Sequence, residues 1–438
     1  MRGKKTILPL AALIYGFVIL SGSISASNLR ESEVTFEKDI APIFQNKCLG
    51  CHSPGGSGPM SLISYSEARP WARSIKEKVV MLAMPPFYAA GPIGYYENDI
   101  RLTRDEIEAI TRWVDSGAPR GNPSDRPKER VQIEESDLER PDLVLTPRKP
   151  YTVKSNDEDD FQLFAFDHMF AQDTWIRGIE VQPGNKSAVH HAVVYLLSDK
   201  FKAGPDGRVE GAGASIMGAE AILFFNPGGN PRMFKDGSAM LIRKGSRLGI
   251  QIHYAPTTKE DVVDQTSVYI YYANGVVQKM IRFLYGGKIK IEIPAGEQHY
   301  QLTDYKKFKT SALLLTFSCH MHLRGKSFTI RLIYPDGRTE TVFELPQFYF
   351  NWQRSYTLAK PLAVPQGTVA EYIAVWDNSA RNRFNPDPTV DVRFGFGTSD
   401  EMMGGGIAYV IPDEELGIPV KNGVRVEERQ PSVSQTLK

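Results

Sequence analysis

The sequence predicts a multidomain chain: a small all-α unit followed by two all-β sandwiches in series. Three observations predict it. A length of 438 residues corresponds to two or three domains. The stretch 34–122 carries amphipathic helical patterning at both ends. From about Asp142 onwards the texture changes to short alternating apolar runs broken by turn residues, the pattern of strands. About 290 residues of such chain suffice for two sandwiches. The net charge is +1, and removing Arg2, Lys4 and Lys5 would leave about −2, so no nucleic-acid partner is expected.

Residues 1–25 read as a signal peptide. A basic start leads into a mostly apolar run from Ile7 to Leu20, then into the small residues Ser21 to Ser27, which fit a cut after Ser25 or Ser27. The apolar run is shorter than a comfortable membrane span, which sets this reading against an uncleaved anchor. The expectation is an exported protein, periplasmic or secreted, with no stable membrane span after cleavage. Exported chains of this size commonly carry disulfides, yet only three cysteines are present. Two belong to the motif below, and Cys319 is expected to be a packed thiol.

The helical unit opens with Val34 to Phe44, an amphipathic stretch that runs almost directly into Cys48-Leu49-Gly50-Cys51-His52. C-x-x-C-H is the attachment signature of c-type haem. The two thiols add to the two vinyl groups, and the adjacent histidine reaches the iron. A redox dithiol or a structural zinc site is the other reading, but there is no second cysteine pair and no thioredoxin-like pattern. A methionine before a proline pair, Met84-Pro85-Pro86, suits the opposite face of the haem, where a thioether raises the reduction potential. Met60 and Met81 are the alternatives. The unit closes with Thr103-Arg104-Asp105-Glu106, a capping box, and a helix through Ile107, Ile110, Trp113 and Val114 to Gly117. Over about residues 34–122 the chain resembles the small cytochromes c.

Residues 123–144 form a charged, proline-bearing linker. The β region that follows divides into 145–280 and 281–425, ahead of a polar tail, 426–438. Two turns, Pro205-Asp206-Gly207-Arg208 and Pro335-Asp336-Gly337-Arg338, each begin fifteen residues after a histidine, His190 and His320. That spacing is either an echo of related halves or a coincidence.

Histidines carry the chemistry here. In Ser318-Cys319-His320-Met321-His322 the strand period of two puts His320 and His322 on one face. Leu313, Leu315, Phe317, Cys319 and Met321 are expected on the opposite, core face. Imidazole pairs at this spacing suit zinc, copper, iron or nickel. His253 lies on the non-core face of Leu248–Tyr254 in the same way. His190 and His191 are adjacent, so both can reach one metal only at a strand end, a bulge or a strong twist. Asp400-Glu401-Met402-Met403 precedes three glycines and offers thioethers, soft ligands for copper(I). His168 and His299 have no such context.

The order His-His, Gln-Ile-His-Tyr, His-Met-His, Asp-Glu-Met over about residues 145–415 resembles the copper type II monooxygenases, the family of peptidylglycine hydroxylating and dopamine β-monooxygenases. That resemblance implies two jelly-roll-like sandwiches, each with one copper ion, facing across a solvent-filled cleft. It implies that His190, His191 and His253 hold the electron-transferring copper. His320, His322 and Met402 would hold the oxygen-binding copper, with Met403 the alternative to Met402. The implied activity is hydroxylation of a C–H bond with O2, using two electrons per turnover. Together with the one covalently attached haem held by Cys48, Cys51, His52 and Met84, this gives a fold expectation of a cytochrome c-like unit followed by two jelly rolls.

Departures from the family narrow the expectation. Its animal members are rich in disulfides, and the copper region here has none available. Where peptide-amidating members place a substrate-anchoring arginine, two residues before the HxH, this chain has Ser318. Gly404 and Gly406 likewise replace side chains expected near that substrate. Peptide amidation is therefore not the expected reaction, and the substrate is expected to be an unidentified small organic molecule. The electron donor is an ascorbate-like reductant or a redox protein, with the fused haem as an entry point. A non-catalytic electron-transfer or copper-binding protein on the same scaffold is the alternative. A haem peroxidase-like module, which would need an open haem face, is a third.

Overall fold

The structure, a computed structural model, describes residues 33–127, 140–155, 160–198, 200–209, 219–227, 232–254, 260–395 and 397–426. The signal peptide expected at 1–25, residues 128–139 of the linker and the tail beyond Val426 lie outside them. Strand accounts for 42% and helix for 12%, so the chain is mostly β, in several sandwich-like sheets. No helix among the described residues is long and apolar enough to cross a membrane.

Helices occupy the N-terminal part. Phe36–Ile40 forms a wide π turn that passes into the α-helix Ala41–Lys47, where Pro42 has no N–H to give. The helix Arg104–Asp115 starts with the complete capping box, Thr103 and Glu106 bonding reciprocally. Phe36 and Phe44 pack on Trp113 at ring separations of 5.9 and 6.3 Å, so the first and last helices share one core. Between them the chain makes an excursion that sequence pattern does not show. Phe87 to Asn98 leaves the helices and lies on the second β-region, with Ala90 N–H on Glu344 O and Glu97 N–H on Thr357 O, both at 2.8 Å. Phe87 and Tyr96 are buried there against Tyr356.

The first β-region holds a four-stranded sheet in the order 160–169, 247–254, 189–197, 220–225. Facing it is a six-stranded sheet built on 174–182 and 267–272. Apolar side chains from both sheets share one core, including Ile176, Ile179, Val194, Ile250, Ile252 and Ile270. A second core lies between two further four-stranded sheets. One has the order 282–288, 403–410, 312–320, 356–364, and the other 300–307, 369–376, 325–333, 339–345. Strand pairing begins at Leu143, which faces Ile270. At the other end, Ile418–Lys421 returns to pair with Gly275–Val277.

Two expectations about pattern change. Leu313 and Leu315 do not share a face with Phe317, Cys319 and Met321. The pairing of Ala312–His320 with both neighbours shifts between Leu314 and Thr316, and this β-bulge inserts one residue and inverts the alternation upstream of it. Leu314 therefore joins Phe317, Cys319 and Met321 in the second core, while Leu313 and Leu315 pack toward the first. Below the bulge the alternation holds, and Cys319 is a buried thiol. The two Pro-Asp-Gly-Arg turns are alike locally, with Gly207 and Gly337 at φ +90° and +85°. Their settings differ. His190 lies at the start of its strand, whereas His320 ends its own and all of Gly325–Ile333 precedes the second turn. Equal spacing does not correspond to equal topology.

Candidate functional site

His191 and His253 sit opposite each other on the antiparallel strands Val189–Leu197 and Arg247–Tyr254. The register shifts between Val189 and His191, so the bulge that two adjacent ligands require is present at His190. Nδ1 of His253 lies 3.1 Å from Nδ1 of His190 and 3.3 Å from Nδ1 of His191. Ligand atoms of all three lie within 4.8 Å of one another. Three imidazoles aimed at one point can hold a metal ion. Phe161 stacks on His253 at 4.2 Å with its plane almost parallel, which fixes that ring. Burial, followed by the neighbouring imidazoles of His253 and His190, holds His191 well below the usual histidine range.

The second group follows a different rule. His320 Nδ1 meets Gln353 Oε1, and His322 Nδ1 meets the Asp400 carbonyl at 3.1 Å. Each Nδ1–H is thus used as a donor, leaving Nε2 as the ligand atom. The Gln353 amide is itself oriented, since its Nε2 donates to Phe350 O at 2.9 Å. The two rings stand nearly perpendicular with centroids 5.1 Å apart. Burial lowers His320 to about 4 and His322 to about 3, so both are neutral donors at ordinary pH, the form a metal needs.

Residues not expected as ligands hold this geometry. Glu401 is fully buried and accepts from the backbone N–H of His322 and Arg324 and from Trp376 Nε1, at 2.9, 2.6 and 2.8 Å. Burial pushes its carboxyl up to about 7. Arg324 points inward, with Nε on Asn378 Oδ1 and Nη1 on Ser399 O, both at 2.7 Å. It braces the loop before Met402 and does not face a substrate. His320 pairs with Gly404, so the same register, continued, sets Met402 across from His322. Met403 packs in the second core, leaving Met402 on the histidine side. Ser318 pairs with Gly406, where an added Cβ would meet Ser318 Oγ at 2.8 Å. A side chain at 406 would need the Ser318 hydroxyl and the Tyr285 ring to shift.

Among the described residues, an aromatic ring lies where the resemblance puts a solvent-filled cleft between the two groups. Phe350 stands between them, its ring 5.7 Å from His191, 5.6 Å from His253 and 5.9 Å from His322. His191, His253, His322 and Phe350 are all buried. The loop after Leu345 brings this apolar ring between the groups. As a consequence, the metal-free protein should lose stability as pH falls from about 6.5 toward 4. The unfolded chain takes up protons on His191, His320 and His322 in that window and the fold does not. Above about pH 6.5 the difference vanishes. Urea midpoints of chelated protein across pH 4–8 check this, and a flat profile would contradict it.

Cys48, Cys51, His52, Met60 and Met84 line one cavity of about 1740 Å³, larger than the ~300–1,000 Å³ of ordinary ligand pockets. His52 Nδ1 lies 3.0 Å from Met60 O, which leaves Nε2 as the ligand atom. Met81 is two-thirds exposed and is not among the cavity residues. Burial pushes the Cys48 thiol up to about 12 and raises Cys51 as well, opposite to what a redox dithiol needs. Both sandwiches also reach the cavity, through Phe225, Arg232, Leu313, Trp352 and Arg354. Arg354 is buried and its guanidinium lies 6.0 Å from the Phe87 ring. No hydrogen-bond acceptor meets it among the described residues. A largely buried cation on the cavity wall can take an anion there, and a haem carries carboxylates. The donor set and Arg354 fit a covalently attached haem.

No family model matches the chain, and no curated protein matches it either. Among solved structures, the VP2 subviral particle of infectious bursal disease virus overlaps 64% of this chain and 74% of its own, at 10% identity and a TM-score of 0.20. PNGase F, a glycosylasparaginase from Flavobacterium meningosepticum, overlaps 64% and 100%, at 12% identity and a TM-score of 0.24. Likenesses this weak carry no argument.

Proposed function

We propose that the protein is an exported, haem-fused, two-copper monooxygenase of the copper type II kind. The reading takes the helical part as a cytochrome c-like unit and the two β-regions as jelly rolls. Its reaction is hydroxylation of a C–H bond in a small organic substrate with O2, drawing electrons from an ascorbate-like reductant or a redox protein. One observation carries it. Three histidine Nδ1 atoms converge, one phenyl ring away from a second imidazole pair already oriented through its Nδ1 atoms.

Bound copper and haem supply the one-electron redox chemistry and oxygen activation that no side chain here provides. His190, His191 and His253 offer three imidazoles to the first copper. His320 and His322 offer Nε2 to the second, and Met402 is the thioether on their side, a set that favours copper(I). Gln353 and the Asp400 carbonyl fix the two tautomers. Phe350 lies between the two groups. Cys48 and Cys51 would hold the haem covalently, His52 and Met84 would be the donors to its iron, and Arg354 would offer a cation to a haem carboxylate.

The buried, ring-filled space between the groups favours a second reading, a non-catalytic electron-transfer or copper-binding protein. Metal analysis followed by O2 uptake separates the two. Two coppers and one haem per chain, with O2 uptake stimulated by one member of a C–H substrate panel under a reductant, supports the monooxygenase. Full metal loading without stimulated uptake supports the second reading and overturns the first.

A further inference from the structure

Two neighbouring residues face the two cofactor regions. Gln353 accepts the His320 Nδ1–H, and Arg354 lines the cysteine-bearing cavity. One peptide bond joins them. A second link converges on the same place. The Asn226 amide fits the Gln353 backbone, its oxygen taking the Gln353 N–H at 3.2 Å and its NH2 group meeting the Gln353 carbonyl. The next residue, Pro227, places its carbonyl 3.6 Å from the Cys51 sulfur. Once the cysteine is a thioether this contact is van der Waals. Phe350, at the start of the segment, touches both histidine groups, but among the described residues the hydrogen bond from this segment runs to His320.

We propose that Phe350–Arg354, with Asn226 and Pro227 behind it, is the electron bridge from the haem to the His320/His322 site. The triad is then not the haem's first acceptor. One electron leaves ferrous haem, which becomes ferric, and reduces copper(II) at His320/His322 to copper(I). This rests on the haem and copper assignments above.

The test uses the full-length, haem- and copper-loaded oxidised protein without O2. A soluble flavin semiquinone, generated by a flash, reduces the haem, and haem absorbance and the copper(II) resonance signal are then followed. The expected result is haem reoxidation in a first-order phase whose rate does not depend on protein concentration, lost in His320→Ala and kept in His253→Ala. Gln353→Leu should slow it about tenfold or more at unchanged haem spectrum and copper content, and Gln353→Glu, which restores an acceptor for His320, should recover it. Should Gln353→Leu lose copper, Asn226→Leu is read in its place with the same expectation. A wild-type rate in the copper-loaded leucine variant, or a phase lost in His253→Ala and kept in His320→Ala, overturns the bridge while leaving the cofactor assignments standing. Absence of copper at His320/His322 overturns both.

Discussion

Met402→Ala is expected to abolish substrate-stimulated O2 uptake, by about a hundredfold or more, while leaving the haem spectrum unchanged. Met403→Ala is expected to do the reverse. Its side chain is buried in the second core, so truncation should cost about 2–5 kcal/mol of stability and leave uptake per bound copper intact. The contrast follows from strand alternation. Gly404 pairs with His320, so one methionine falls on each side of the sheet. Oxygen uptake and urea midpoints of the two variants measure it. Retained turnover in Met402→Ala would sink the ligand assignment.

Glu401→Ala should be the most damaging substitution outside the ligands. It strands three buried donors, from His322, Arg324 and Trp376, and each buried donor left unsatisfied costs about 1–3 kcal/mol. The expected loss is at least about 3 kcal/mol, and copper at His320/His322 should fall while copper at the triad persists. Glu401→Gln keeps an acceptor oxygen and should lose less. An unchanged midpoint in Glu401→Ala would mean that those N–H groups find other partners.

What the sequence made legible follows from periodicity. Leu248 to Tyr254 alternates without interruption, and the structure puts Leu248, Ile250, Ile252 and Tyr254 in one core, with His253 facing away. His190 and His191 carried a stated condition, a bulge or strand end, and both are met. The HxH strand was readable only below its bulge, since one inserted residue at Leu315 leaves no mark in composition. Gln353, Arg354 and Phe350 had no signal of their own. They lie in an aromatic-rich loop, Phe348 to Tyr356, whose contacts with both histidine groups are long-range. Glu401 stood beside the methionines as an acidic residue, but its partners His322, Arg324 and Trp376 lie 79, 77 and 25 residues before it. The crossing of Phe87 to Asn98 onto the second β-region depends on tertiary packing alone.

Copper counting on haem-loaded, exported protein tests the central claim most directly. The account predicts two coppers per haem, with His253→Ala and His320→Ala each removing one and leaving the other. A single copper lost in both variants, or none in the wild type, would contradict it.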